Sequence, residues 1–184
     1  MQSYVTNKRV LDIFSYSGAW GIQAAAAGAT DVLCVDASEQ ALELANHNAK
    51  LNSLDTRIST LQGDAFDSLK SFRDEGEKFD VVILDPPAFI KRKKDKRAGL
   101  EAYRRINELT MRVLNKDGIL ISASCSYHMA ATDLTNVMLQ ASRHIDRQLQ
   151  LLEQGHQGPD HPVHPAIPET NYLKAFISRV LPVR

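Results

Sequence analysis

The chain has 184 residues, 43% of them hydrophobic, and 22 basic side chains balance 22 acidic ones. That length supports one substantial core and one domain over residues 1–184, and a formal charge of zero argues against a wholesale polyanion binder without excluding one, because a local basic patch can serve the same purpose. Cys34 and Cys125 stand far apart, which excludes a disulfide framework or a zinc spacing and points to a reducing, cytoplasmic setting. No apolar run approaches membrane-spanning length and Met1 to Arg9 has no signal-peptide character, so no membrane partner is expected.

The predicted elements alternate strand and helix. Val10–Phe14 is the first apolar run, followed by a small helix over Gly21–Ala27. Val32–Val35 is the second strand and ends at Asp36. A helix over Glu39–Leu51 carries Ala41, Leu42, Leu44, Ala45 and Ala49 on one expected stripe, with Ser38 or Glu39 opening it. Ile58–Leu61 is the third strand, with Gly63-Asp64 and a helix over Phe66–Phe72 after it. Val81–Leu84 is apolar on both faces, as in a central parallel strand. A helix from about Leu100 to Leu114 stops at Asn115-Lys116-Asp117-Gly118. The fifth strand, Ile119–Ser124, precedes a helix over Thr132–His144. Two tail strands, Gln148–Leu152 and Ala175–Val180, flank a Pro/His-rich loop and form a closing hairpin, with the last strand antiparallel. The fold class expected is α/β: a doubly wound, mostly parallel, seven-stranded Rossmann-like sheet.

Ligands of such sheets bind beyond the carboxyl ends of the strands, where this sequence places Phe14-Ser15-Tyr16-Ser17-Gly18, Asp36, Asp64-Ala65 and Asp85-Pro86-Pro87. A dinucleotide loop would read G-x-G-x-x-G. Here Tyr16 holds the first glycine position, leaving Gly18 and Gly21, so a pyrophosphate cradle and an NAD-dependent oxidoreductase are disfavoured. S-adenosylmethionine has no phosphate. Gly18 would leave room for its amino-acid end, Asp36 would accept from its ribose hydroxyls, and Asp64 would meet its adenine amine. The plainer reading makes Asp36 and Asp64 strand-end caps.

Asp85 followed by Pro86 and Pro87 is suited to holding a target base, because prolines fix the backbone and remove donors. Phe89 offers a stacking face. Cys125, between Ser124 and Ser126 after the fifth strand, is the candidate nucleophile. Thiolate attack at C6 of cytosine would make C5 reactive enough to take a methyl group. An ordinary thiol, with a pKa of about 8.5, is only a few per cent ionised at neutral pH, so its proton must be removed. Asp85 would stabilise charge on the base. The base that removes the C5 proton is not identifiable. Cys34, inside an apolar run, reads as a core residue.

Phe14-Ser15-Tyr16-Ser17-Gly18, Lys78-Phe79-Asp80, Asp85-Pro86-Pro87-Ala88-Phe89, Ser124-Cys125-Ser126, Asp160-His161-Pro162-Val163 and Tyr172-Leu173-Lys174 occur in this order. Together they resemble the bacterial 23S (large-subunit) ribosomal RNA 5-methylcytosine methyltransferases of the RlmI type, from about Asn7 to Val180. The resemblance implies a class I methyltransferase fold and S-adenosylmethionine contacted by the Phe14–Gly18 loop, Asp36, Asp64 and Asp85. It implies Cys125 as nucleophile and large-subunit ribosomal RNA as partner. It also implies an N-terminal PUA-type RNA-binding domain that this chain lacks, so a catalytic domain alone is expected. Many RNA 5-methylcytosine enzymes carry a second cysteine after the prolines; Ala88 stands there, as in this subfamily.

Lys91-Arg92-Lys93-Lys94-Asp95-Lys96-Arg97 reads as a solvated, mobile loop that could also neutralise phosphates, with Lys91 and Arg92 nearest the base pocket. His156, His161 and His164 near Asp160 lack a metal-binding spacing, so no metal is expected, only a structured loop closing the pocket. Trp20 reads as core packing. A homodimer is compatible with these features. Two alternatives stay open: a guanine-directed ribosomal RNA methyltransferase with Cys125 incidental, and a non-catalytic cofactor- and RNA-binding remnant.

Overall fold

A computed structural model describes residues 1–183. Its strands are β1 (Arg9–Ile13), β2 (Asp31–Asp36), β3 (Ile58–Gln62), β4 (Phe79–Leu84), β5 (Leu114–Ser124), β6 (Arg147–Gly155) and β7 (Lys174–Pro182). The helices are α1 (Ala19–Ala26), α2 (Glu39–Leu51), α3 (Ala65–Asp74), α4 (Lys96–Arg112) and α5 (Ala131–His144). The strands form one seven-stranded sheet in the order β3-β2-β1-β4-β5-β7-β6. β1 to β5 pair in parallel. β7 runs antiparallel between β5 and β6, as the closing-hairpin reading expected.

Side chains alternate between two cores, as the two-residue period of a strand dictates. Leu11, Ile13, Val82, Leu84 and Leu120 face one core with Leu69 of α3, Tyr103 of α4 and Leu134 of α5. Val10, Val81, Ile83, Ile119 and Ile121 face the other, with Ala24 of α1 and Ala49 of α2. A sheet covered on both faces explains the unbroken apolar runs. The strand order grows outward in opposite directions from β1 and β4, so the crevice outside their carboxyl ends is the topological switch point.

Two boundaries differ from the sequence expectation for physical reasons. α4 begins at Lys96, not Leu100, and so includes Gly99. A Cβ at Gly99 would lie 2.3 Å from Ile90 Cγ1 and 3.0 Å from the Phe89 carbonyl oxygen, so glycine lets the helix approach that segment. The basic run is correspondingly ordered: Lys93–Asp95 forms a 3-10 turn, Arg92 pairs with Asp95 at 2.8 Å, and Lys96 pairs with Asp133 at 2.6 Å. Lys91, Arg92, Lys93 and Lys94 are nonetheless exposed. β5 begins at Leu114, which pairs with Phe79, and the expected stop is a kinked part of the strand in which Asp117 takes φ 60°.

Candidate active site

The β1–α1 loop is built on left-handed backbone. Phe14 (φ 63°), Tyr16 (φ 47°) and Gly18 (φ 79°) alternate in that region, which costs a side-chain-bearing residue about 1–2 kcal/mol. The strained turn directs the Tyr16 N–H onto Asp36 Oδ2 at 2.9 Å and leaves the Tyr16 side chain 67% exposed. Gly18, expected to leave room for a cofactor, instead leaves room for α2: a Cβ there would sit 3.0 Å from Ala45 Cβ. Ser15 is buried behind the loop, its N–H donating to the Val35 carbonyl at 3.0 Å.

Asp36 and Asp64 do serve as caps. Asp36 Oδ1 accepts from the Ser38 N–H. Asp64 Oδ1 accepts from the N–H groups of Phe66 and Asp67 at the start of α3. Both nevertheless face the crevice. They line a cavity of about 430 Å³ with Phe14, Tyr16, Ala65, Asp85 and Pro87. Gly63, beside Asp64 in the strand-end sequence, completes this wall with Val35 and Ala37, which the sequence did not single out. Asp85 is part-buried at the crevice wall. Burial raises its pKa above the ordinary value, while the Trp20 indole N–H, donating at 3.0 Å, works the other way. Trp20 also packs on the second core, so it joins packing to the site.

Pro87 is shared with a second cavity, of about 590 Å³, lined by Ala88, Phe89, Lys91, Arg92 and Asp95. The expected substrate residues Pro87, Phe89, Lys91 and Arg92 therefore meet on one wall. Pro86 lies buried beneath them. The Phe89 ring, expected as a stacking face, packs on Tyr103 (4.8 Å between centroids), Phe14 and Phe66 (6.3 Å each).

Cys125 follows the last residue of β5, half-buried, with its thiol 4.0 Å from the Pro86 carbonyl oxygen. Both neighbours are anchored. Ser124 Oγ donates to the Tyr103 hydroxyl at 2.9 Å, and that hydroxyl bonds Ser126 Oγ at 3.0 Å. Ser126 Oγ also accepts from the Ile90 N–H. Tyr103 is fully buried, so β4, α4 and β5 meet at the thiol. Burial and then the Asp85 charge push the Cys125 thiol up, so the resting group is the neutral thiol. Cys34 is buried in the core, as expected.

Two residues here carried no role in the sequence reading. Asp12 is fully buried in β1, and burial lifts its carboxyl to about 7. Its Oδ2 accepts from the Gly21 N–H at 2.9 Å, and its Oδ1 has no partner among the described residues. Lys174, noted only as part of a motif, is buried beside the turn that follows Cys125. On the far side of that turn, Tyr127, His156, Asn171, Tyr172 and Lys174 help line a cavity of about 540 Å³. The loop before β7 is organised by Gln157, which donates to the Thr170 carbonyl and accepts from the Leu173 N–H. Of the loop histidines, His161 pairs with Asp160 at 3.0 Å. Among the described residues, no three His, Cys, Asp or Glu side chains are grouped to hold a metal.

A family model described as Conserved hypothetical protein 95 matches residues 1–149. The chain belongs to this family. It is 40% identical over 179 residues to ribosomal RNA large subunit methyltransferase I of Escherichia coli strain K12, and to the same-named protein of Shigella boydii serotype 18. The match covers 97% of this chain and 45% of each relative, so the chain spans about half their length. The methyltransferase fold expected from the sequence is shown by solved structures. SMU.776 in complex with SAH superimposes with a TM-score of 0.82 at 24% identity, covering 95% of this chain and 46% of that one. NSun6 from Pyrococcus horikoshii, solved with SFG, gives 0.69 at 16%, covering 97% and 48%. No helix among the described residues is long and apolar enough to cross a membrane.

Proposed function

We propose that this chain is the catalytic domain of an S-adenosylmethionine-dependent methyltransferase, acting in the cytoplasm on C5 of a cytosine in large-subunit ribosomal RNA, with Cys125 as nucleophile. The relatives named above support the substrate class. The crevice supports the cofactor: three carboxylates, Asp36, Asp64 and Asp85, line it, which suits a sulfonium cation and repels a pyrophosphate. Asp64 Oδ2 accepts no hydrogen bond from the described residues, so it is available to a donor such as an adenine amine. Asp36 keeps spare lone pairs for ribose hydroxyls. When bound, the cofactor supplies an electrophilic methyl group.

The single observation that carries the reading is the thiol lying against the Pro86 carbonyl, at the junction of Asp85-Pro86-Pro87 with the wall that Phe89, Lys91 and Arg92 build. A base held there turns its N3 and N4 edge toward Asp85, whose carboxylate can accept a hydrogen bond from the N4 amine. Cys125 gives its proton to water, its sulfur bonds to C6, and the displaced electron pair of the C5–C6 double bond makes C5 nucleophilic. After C5 takes the methyl group, its proton passes to water, the freed pair re-forms the C5–C6 double bond, and the C6–S bond breaks to release a thiolate that takes up a proton again. Bulk unmodified large-subunit ribosomal RNA incubated with the chain and methyl-labelled cofactor is expected to yield labelled 5-methylcytosine, and none with Cys125→Ala.

The raised thiol favours one second reading, in which Asp85-Pro86-Pro87 acts on a guanine and Cys125 is incidental. Labelled methylguanine, unaffected by Cys125→Ala, would establish it.

A further inference from the structure

The groups that face Cys125 are of mixed sign. Asp85 just after β4 and Lys174 on β7 act on it with opposite charge, and Tyr103 on α4 shares the same neighbourhood. Behind Lys174 stands Asp133 on α5, whose carboxylate is held by Lys96 at 2.6 Å. Lys174 is 8% exposed. Its ammonium donates to the carbonyl oxygens of Ser126 and Met129, both at 2.6 Å. Those carbonyls bracket the turn that leaves Cys125. In register, Lys174 pairs with Ser124, the residue before the thiol.

Packing alone gives no reason for an ammonium here. Burying a charge is unfavourable unless it is compensated; here the two carbonyls compensate it, and methionine would take that donor away from both. The charged donor, not the stem, distinguishes lysine at this position.

We propose that Lys174 is a positioning residue for Cys125, clamping the Ser126–Met129 turn through two carbonyls and setting a positive charge beside the sulfur so that the thiolate can form. This rests on the reading of Cys125 as nucleophile. Burial and Asp85 push the thiol up, whereas the Lys174 charge draws it down. Reciprocally, burial lowers the Lys174 pKa, while the Cys125 and Asp133 charges support its ammonium form.

The test is alkylation of Cys125 by iodoacetamide, in which thiolate displaces iodide and leaves a thioether. Peptide mass mapping separates Cys125 from buried Cys34. The readout is the rate at pH 7.5 divided by the high-pH plateau. A purely structural clamp changes the plateau; a charge effect changes the ratio. Lys174→Met and Lys174→Gln are expected to lower the ratio by about threefold to tenfold, and Lys174→Arg to stay within about twofold of wild type. An unchanged ratio in the neutral variants overturns the proposal. Lys174→Gln keeps a neutral amide donor for a carbonyl, so it carries the test if Lys174→Met does not fold. Unfolding of both neutral variants would assign Lys174 to structure alone and likewise overturn it. A lowered ratio without cytosine methylation would sink the proposed reaction and leave the thiol tuning standing; the converse would do the opposite.

Discussion

Asp85 is held between opposing influences. Burial favours its protonated form, and the Trp20 N–H favours its ionised form. Trp20→Phe keeps most of the ring's packing and removes the donor. The Asp85 carboxyl then titrates at higher pH, so the Asp85 limb of the kcat/KM profile is expected to move up, and kcat to fall roughly tenfold as the carboxyl loses its orientation. A profile superimposable on wild type would show that the indole only packs. Asp12 makes a stability prediction. Its carboxyl rises from 3.8 to about 7 on folding, so its contribution is fully favourable below about pH 4 and is lost as pH rises toward 7. The loss is on the order of 4 kcal/mol as an upper figure. Asp12→Asn is expected to flatten the fall in urea midpoint between pH 4.5 and 8; an equally steep fall would place the titration elsewhere. Neither effect is legible in the sequence. Asp12 reads as one polar letter in a strand, and only three-dimensional burial makes it titrate near neutrality. Asp36, Asp64 and Asp85 are legible because they end strands, where polar side chains leave the core and face a crevice.

At the element scale, glycines record where helices touch the sheet. A Cβ at Gly21 would lie 2.6 Å from Cys34 Sγ and 3.3 Å from Asp12 Oδ2. Gly21→Ala is therefore expected to destabilise the protein by about 1–3 kcal/mol in urea unfolding. Adding Cys34→Ala removes the clashing sulfur, so the two changes together are expected to cost less than their sum. Strict additivity would mean that α1 shifts bodily. Close approach of this kind explains which boundaries the sequence conceals. The sequence starts α4 at about Leu100, yet the helix already runs through Gly99, where it closes on Ile90. Ser38 is readable as an opener of α2, and its Oγ accepts from the Ala41 N–H at 3.2 Å. Local hydrogen bonding speaks through residue type; the meeting of distant segments does not.

For the whole molecule, strand-helix alternation with short loops allows few topologies, and the observed sheet follows from it. The insertion of β7 between β5 and β6 is legible only as an antiparallel tail, because strand order depends on which edge remains unpaired. A formal charge of zero conceals the exposed Lys91, Arg92, Lys93 and Lys94 beside the Phe89 wall. Neutralising all four is expected to weaken RNA binding. It is also expected to flatten the salt dependence by about 0.7 in log–log slope for each phosphate that the patch no longer neutralises. An unchanged slope would detach this patch from RNA.

The proposed reaction turns on a carbon–sulfur bond between Cys125 and C6 of the target cytosine. Ribosomal RNA transcribed with 5-fluorocytidine blocks loss of the C5 substituent, so with cofactor present the chain should accumulate as a covalent complex mapping to Cys125 in a digested peptide. Absence of that complex while unmodified RNA is methylated, or its persistence in Cys125→Ala, would contradict the mechanism.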